Sequence, residues 1–179
     1  MKKLLTVMAL VMPLYLFAQN VTPEKVTKYE TLLSKTGAVI SSLQYDLGII
    51  ALESPYSDLT YGLSFSVSKV SVGNSTSKFL RITHYELNSK DNSEAFIEYS
   101  DVKQLDNAIS QLIELSQKSV PEGCKVQNTY MTTDGLILIS EEGKWTLKLE
   151  RFTRDKITFK NIDALSGRLK EAIKKMDSM

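Results

Sequence analysis

The body of this chain is written twice, and this constrains its fold more than any other feature. The segment from Ile97 to Ile113 and the segment from Ile157 to Ile173 carry apolar side chains at coincident positions. Ile97 matches Ile157, Tyr99 matches Phe159, Val102 matches Ile162, Leu105 matches Leu165, Ile109 matches Leu169, Leu112 matches Ala172 and Ile113 matches Ile173. Upstream, Leu80 to Tyr85 matches Leu147 to Phe152, and before that Gly62-Leu63 matches Gly135-Leu136. Matching pieces in a fixed order, with shorter loops in the second copy, are the mark of an internal duplication.

The elements within each copy follow from periodicity. Leu63, Phe65 and Val67 alternate with Ser64, Ser66 and Ser68, the pattern of a half-buried strand. Val70 and Val72 break that parity, so a bulge near Ser68-Lys69, or departure of the strand from its sheet, is expected. Leu80 to Tyr85 and Ala95 to Tyr99 read as further strands. Asp101 is then expected to cap a helix whose stripe is Val102, Leu105, Ile109, Leu112 and Ile113. In the second copy, Leu136 to Ile139 is apolar on both faces and reads as a central strand. Glu142-Gly143 marks a tight hairpin. Asn161 caps a last helix with Ile162, Leu165, Leu169, Ile173 and Met176 on its stripe. Before the first copy, residues 38 to 50 read as one or two strands, with Gly48 a bend. Thr22-Pro23 opens a candidate helix that Gly37 would stop, with Val26, Tyr29, Leu32 and Leu33 on one face; a strand is the alternative.

Strands followed by a helix, twice, predict an α+β fold. It comprises two tandem repeats of three to four antiparallel strands and a helix, with the helices on one side of the sheet. The repeats cover approximately 38–118 and 124–177. Each alone is too small to bury its sheet, so 19–179 is expected to form a single domain.

The start of the chain has the pattern of a secretory signal peptide over 1–18. Lys2 and Lys3 precede an apolar run from Leu4 to Phe17, and Ala18-Gln19 follows as the cleavage point, with Leu16 an imperfect residue at minus three. The run is shorter than the ~20 residues that span a bilayer, so no membrane span is expected after cleavage. The mature protein is therefore expected to be exported, to the periplasm or the medium. Losing two lysines moves its formal charge from +1 to about −1.

That balance makes nucleic acid an unfavoured partner, because backbone binding needs clustered Lys and Arg. The basic run Lys170 to Lys175 contains Glu171 and suits a helix C-terminus. Cys124 is the single cysteine, so neither a disulfide nor a two-Cys metal site can form within the chain. It is expected to be a small half-buried hydrophobe. His84 is the single histidine, which removes a two-His metal site and favours a structural role at a strand end. There is no nucleophile elbow and no phosphate-cradling glycine loop. No cofactor and no catalytic residue are assigned.

The remaining candidates are aromatic. Tyr85 and Phe152 hold matching places, with parity opposite to the inward leucines, beside Arg81 and Lys148. Exposed aromatics with adjacent charges are common in binding sites. Packing under the N-terminal segment is the competing role. Tyr56 and Tyr61, on the irregular stretch from Ala51 to Tyr61, form a second candidate.

The element order is similar to that of the whirly-type single-strand-binding fold, and looks like the pseudo-twofold saddles of the TATA-binding-protein kind, over roughly residues 60 to 176. The Lys-Gly-Lys motif that whirly proteins use for DNA is absent, so the resemblance carries over no site. The whole chain also resembles small exported bacterial proteins. The leading expectation is a non-catalytic binding or interaction protein with a protein or glycan partner. A small hydrolase using carboxylates is the alternative, and single-strand binding, implied by the fold resemblance alone, is the third.

Overall fold

The computed structural model describes residues 26–52, 61–86, 93–150, 156–159 and 161–179, apart from the side chains of 61, 85 and 86. A short helix α1 (Lys28–Leu33) precedes four strands, β1 (Ile40–Ala51), β2 (Tyr61–Val72), β3 (Ser75–Glu86) and β4 (Glu94–Glu98), and a helix α2 (Tyr99–Ser116). The pattern repeats as β5 (Gln127–Met131), β6 (Ile137–Glu141), β7 (Lys144–Lys148), β8 (Ile157–Phe159) and α3 (Ile162–Asp177). The fold is thus α+β, built from two copies of four antiparallel strands and a helix.

The strands form two separate sheets, β1-β2-β3-β4 and β5-β6-β7-β8, and not the one sheet expected. Strand register bears on the duplication directly. Leu80 faces Ile97 across β3 and β4, and their counterparts Leu147 and Ile157 face each other across β7 and β8. These inward side chains join Leu105, Ile109, Leu165 and Leu169 in one contiguous core drawn from both copies.

Each helix covers more than its own copy. Helix α2 packs on β3 and β4, reaches β5 and β6, and contacts α3. Helix α3, which closes the second copy, packs on β1 and β2 of the first. Its start is set as the sequence predicts, by the Asn161 side chain accepting the Asp163 N–H at 2.9 Å. The start of α2 differs from expectation. Glu98 holds the N-cap without a side-chain bond, and Asp101 lies in the first turn. Its buried carboxylate accepts the Thr133 backbone N–H at 2.9 Å, tying α2 to the β5–β6 turn.

β2 pairs with β3 without interruption from Tyr61 to Val72, so the parity change at Val70 is not a bulge. Val70 and Val72 lie on the outer face, where they join Phe79 and Leu32 in a second, smaller cluster under α1. The covered apolar face therefore changes along β2, from the inner face at Leu63, Phe65 and Val67 to the outer face at Val70 and Val72, where Lys69 and Ser71 take the inner positions. The irregularity in the sheet lies instead in β1, between Asp46 and Gly48. Gly48 has φ +85°, and its N–H bonds the Asp46 carboxylate at 2.8 Å.

Helix α1 begins at Thr27 with a reciprocal capping box to Glu30; Thr22 and Pro23 lie outside the described residues. Tyr29 and Leu32 pack on the sheet, whereas Val26 and Leu33 are exposed, so the expected four-residue face is only half realised. Among the described residues no helix is long and apolar enough to cross a membrane.

Candidate functional site

The candidate aromatic face is only partly within the described residues. Phe152 and Tyr56 lie outside them, and of Tyr85 and Tyr61 only the strand positions are described. Arg81 sits on the outer face of the first sheet opposite Phe96. Its Nε and Nη2 donate to Glu94 at 2.9 and 2.6 Å, and the guanidinium lies 5.5 Å from the Phe96 ring centroid. Next to it, Tyr29 stacks on Phe96 at 3.8 Å and meets Phe79 edge-on at 5.2 Å. The N-terminal helix therefore covers this part of the face. Lys148 lies opposite Ile137 in the other sheet, so Arg81 and Lys148 do not share a sheet face.

Two other singled-out residues are placed clearly. His84 is buried on the inner face opposite Leu63, with its backbone N–H bonded to the Ser93 carbonyl at 2.9 Å. Cys124 is exposed, not half-buried, because it follows a turn in the connection between the copies, away from either sheet. Among the described residues no group of three or more His, Cys, Asp or Glu side chains gathers as a metal site would require.

A concavity lies elsewhere, at the junction of the two copies. A pocket of about 490 Å³ opens between the end of the β1–β2 pair and the β7, β8 and α3 segments of the second copy. From the first copy come Ile50, Ala51, Leu52 and Leu63, with Ile50 directly opposite Leu63. From the second come Lys144, Thr158, Phe159, Asn161, Ala164 and Leu165.

The lining is graded. Leu63 and Leu165 are almost fully buried, at 2% and 1% exposure, and belong to the main core. Phe159, Ile50, Leu52 and Ala164 are half-buried, and Lys144, Thr158 and Asn161 are exposed. An apolar floor thus rises to a polar rim, the general form of a small-molecule site. The rim is built by local rules. Lys144 begins β7 after a two-residue turn in which Glu142 and Gly143 both have positive φ, +49° and +75°. Asn161 is at the rim because it caps α3.

Sequence reasoning placed these residues in strands, an irregular stretch, a hairpin, a cap and the last helix, but did not bring them together. Their one local signal is that Ile50, Ala51 and Leu52 stay apolar up to the point where β1 ends. No family model, no curated protein and no solved structure matches the chain.

Proposed function

We propose that the protein is an exported, non-catalytic binding protein and that the junction pocket holds its ligand. The observation that supports this reading best is the pocket's lining. Half-buried Ile50 and Leu52 from one copy and Phe159 and Ala164 from the other leave apolar surface open to solvent above a floor of core leucines, within a volume in the range of small-molecule sites. Apolar surface left accessible in this way favours contact with a ligand. Export rests on the sequence pattern of residues 1–18.

The neutral apolar fluorophore N-phenyl-1-naphthylamine, titrated into the mature chain, tests the reading. Saturable one-site enhancement is expected, and Ala164→Phe, which fills the pocket from a half-buried position, should abolish it. Ala51→Phe does the same from the opposite wall and serves if the first variant is unstable. Absence of saturable binding, or binding unchanged in both filled variants, refutes the proposal.

A further inference from the structure

We infer that the ligand of this pocket is an anionic amphiphile, an aliphatic chain ending in a carboxylate, with its tail on the leucine floor and its head at the rim. The inference rests on the pocket reading above and adds the chemistry of the ligand.

The rim is made of hydrogen-bond donors. Asn161 has its Oδ1 committed to the Asp163 N–H, so the function left for a ligand is its amide NH₂ group. Thr158 offers a hydroxyl. Lys144 offers an ammonium group, which can only donate. Among the described lining residues Lys144 is the one cation, and none is acidic.

Among the described residues the ammonium has no ion-pair partner, although Glu141 faces Lys144 across the β6–β7 pair. Glu142, two residues before it, pairs with Lys125 at 3.4 Å. Three donors with a net positive charge complement an acceptor-only anion, and a carboxylate provides that in its ionised form.

The remaining wall selects the rest of the ligand. Of the ten described lining residues seven are apolar: Ile50, Ala51, Leu52, Leu63, Phe159, Ala164 and Leu165. A sugar would leave its hydroxyl groups unpaired against such a surface, whereas a hydrocarbon chain loses nothing there.

Decanoate, decan-1-ol and decyltrimethylammonium, each below its aggregation concentration, separate the contributions when titrated calorimetrically into wild type, Lys144→Gln and Lys144→Arg. Decanoate is expected to bind wild type about three- to tenfold more tightly than decanol. Lys144→Gln should erase that advantage and leave decanol unchanged, and Lys144→Arg should restore it. Lys144 is exposed, so these variants keep the wild-type melting temperature. Equal affinities for decanoate and decanol, preference for the cationic amphiphile, or a decanoate affinity indifferent to Lys144→Gln overturns the carboxylate assignment and leaves the pocket reading standing. Heat-silent titrations with all three, with no displacement of the fluorophore, overturn both.

Discussion

Asp101 and Tyr130 join the two copies at the scale of single residues. Asp101 stands in the first turn of α2, where a carboxylate suits the helix dipole, yet its bond is to Thr133 in the second copy. Tyr130, half-buried on β5, has its phenol pKa raised above 10.0, first by burial and then by the Asp101 charge. In the unfolded chain that phenol ionises near its ordinary value. Tyr130 therefore leaves stability intact below pH ~10 and subtracts from it as pH rises from there through the raised folded value. A spectrophotometric titration at 295 nm should show a late tyrosine component that Tyr130→Phe removes. Asp101→Asn should lower its midpoint only in part, because burial is the larger cause. A late component that survives Tyr130→Phe would refute the assignment. Local features at this scale were legible in the sequence. The Asn161 cap, the Glu142-Gly143 turn and the irregularity at Gly48 all depend on neighbours within a few residues. The role of Asp101 was not legible, because its partner lies 32 residues away and only the folded chain brings them together.

Which face of a strand is covered is decided at the scale of elements. β2 reads as a single amphipathic strand up to Ser68 because its outer face there carries serines. Beyond that point α1 lies on the outer face, and Val70, Val72, Phe79 and Leu32 pack together. Nothing within β2 announces a cover supplied from more than thirty residues upstream, so the parity change reads as a bulge. The repeat alignment meets a similar limit. Continuing the β6–β7 register by one residue sets Leu136 against Leu149, as Phe65 is set against Ile82 in the first copy. Leu136 thus corresponds to Phe65 and not to Leu63, a shift of two that preserves the face and leaves the apolar pattern indifferent to it. The α1 cover depends on Tyr29, held between Phe96 and Phe79 with the Lys28–Glu98 ion pair beside it. Tyr29→Ala should cost about 1–3 kcal/mol in urea unfolding, and a double-mutant cycle with Phe96→Ala should return about 0.5–1.5 kcal/mol of coupling. Near-additive effects would show that the stacked pair contributes nothing beyond its burial.

At the scale of the whole molecule the main core draws on both copies and is closed by helices that cross between them. Helix α3 of the second copy lies on β1 and β2 of the first, while α2 touches both sheets. The end of the chain is held on the first copy as well, since Lys69 and Lys78 donate to the Met179 and Met176 carbonyls and Tyr99 donates to Asp177. That the body is duplicated was legible, because matched apolar positions survive in the sequence. The crossing was not, because hydrophobic stripes say which face is buried and not against whose sheet. The pocket is a product of that crossing, assembled where β1 and β2 meet the start of α3, so it inherits the same illegibility. A consequence is that damage in one copy should be felt in both. Leu165, at 1% exposure, sits at the pocket floor and in the shared core. Leu165→Ala should cost about 2–5 kcal/mol. The loss should be seen alike by Trp145, the single tryptophan, buried in the second sheet, and by far-ultraviolet circular dichroism, which reports both sheets. Coincident transitions are the signature of a single cooperative unit. If Trp145 instead reported unfolding at lower denaturant while half of the dichroism persisted, the copies would be independent. The crossed helices would then not couple them.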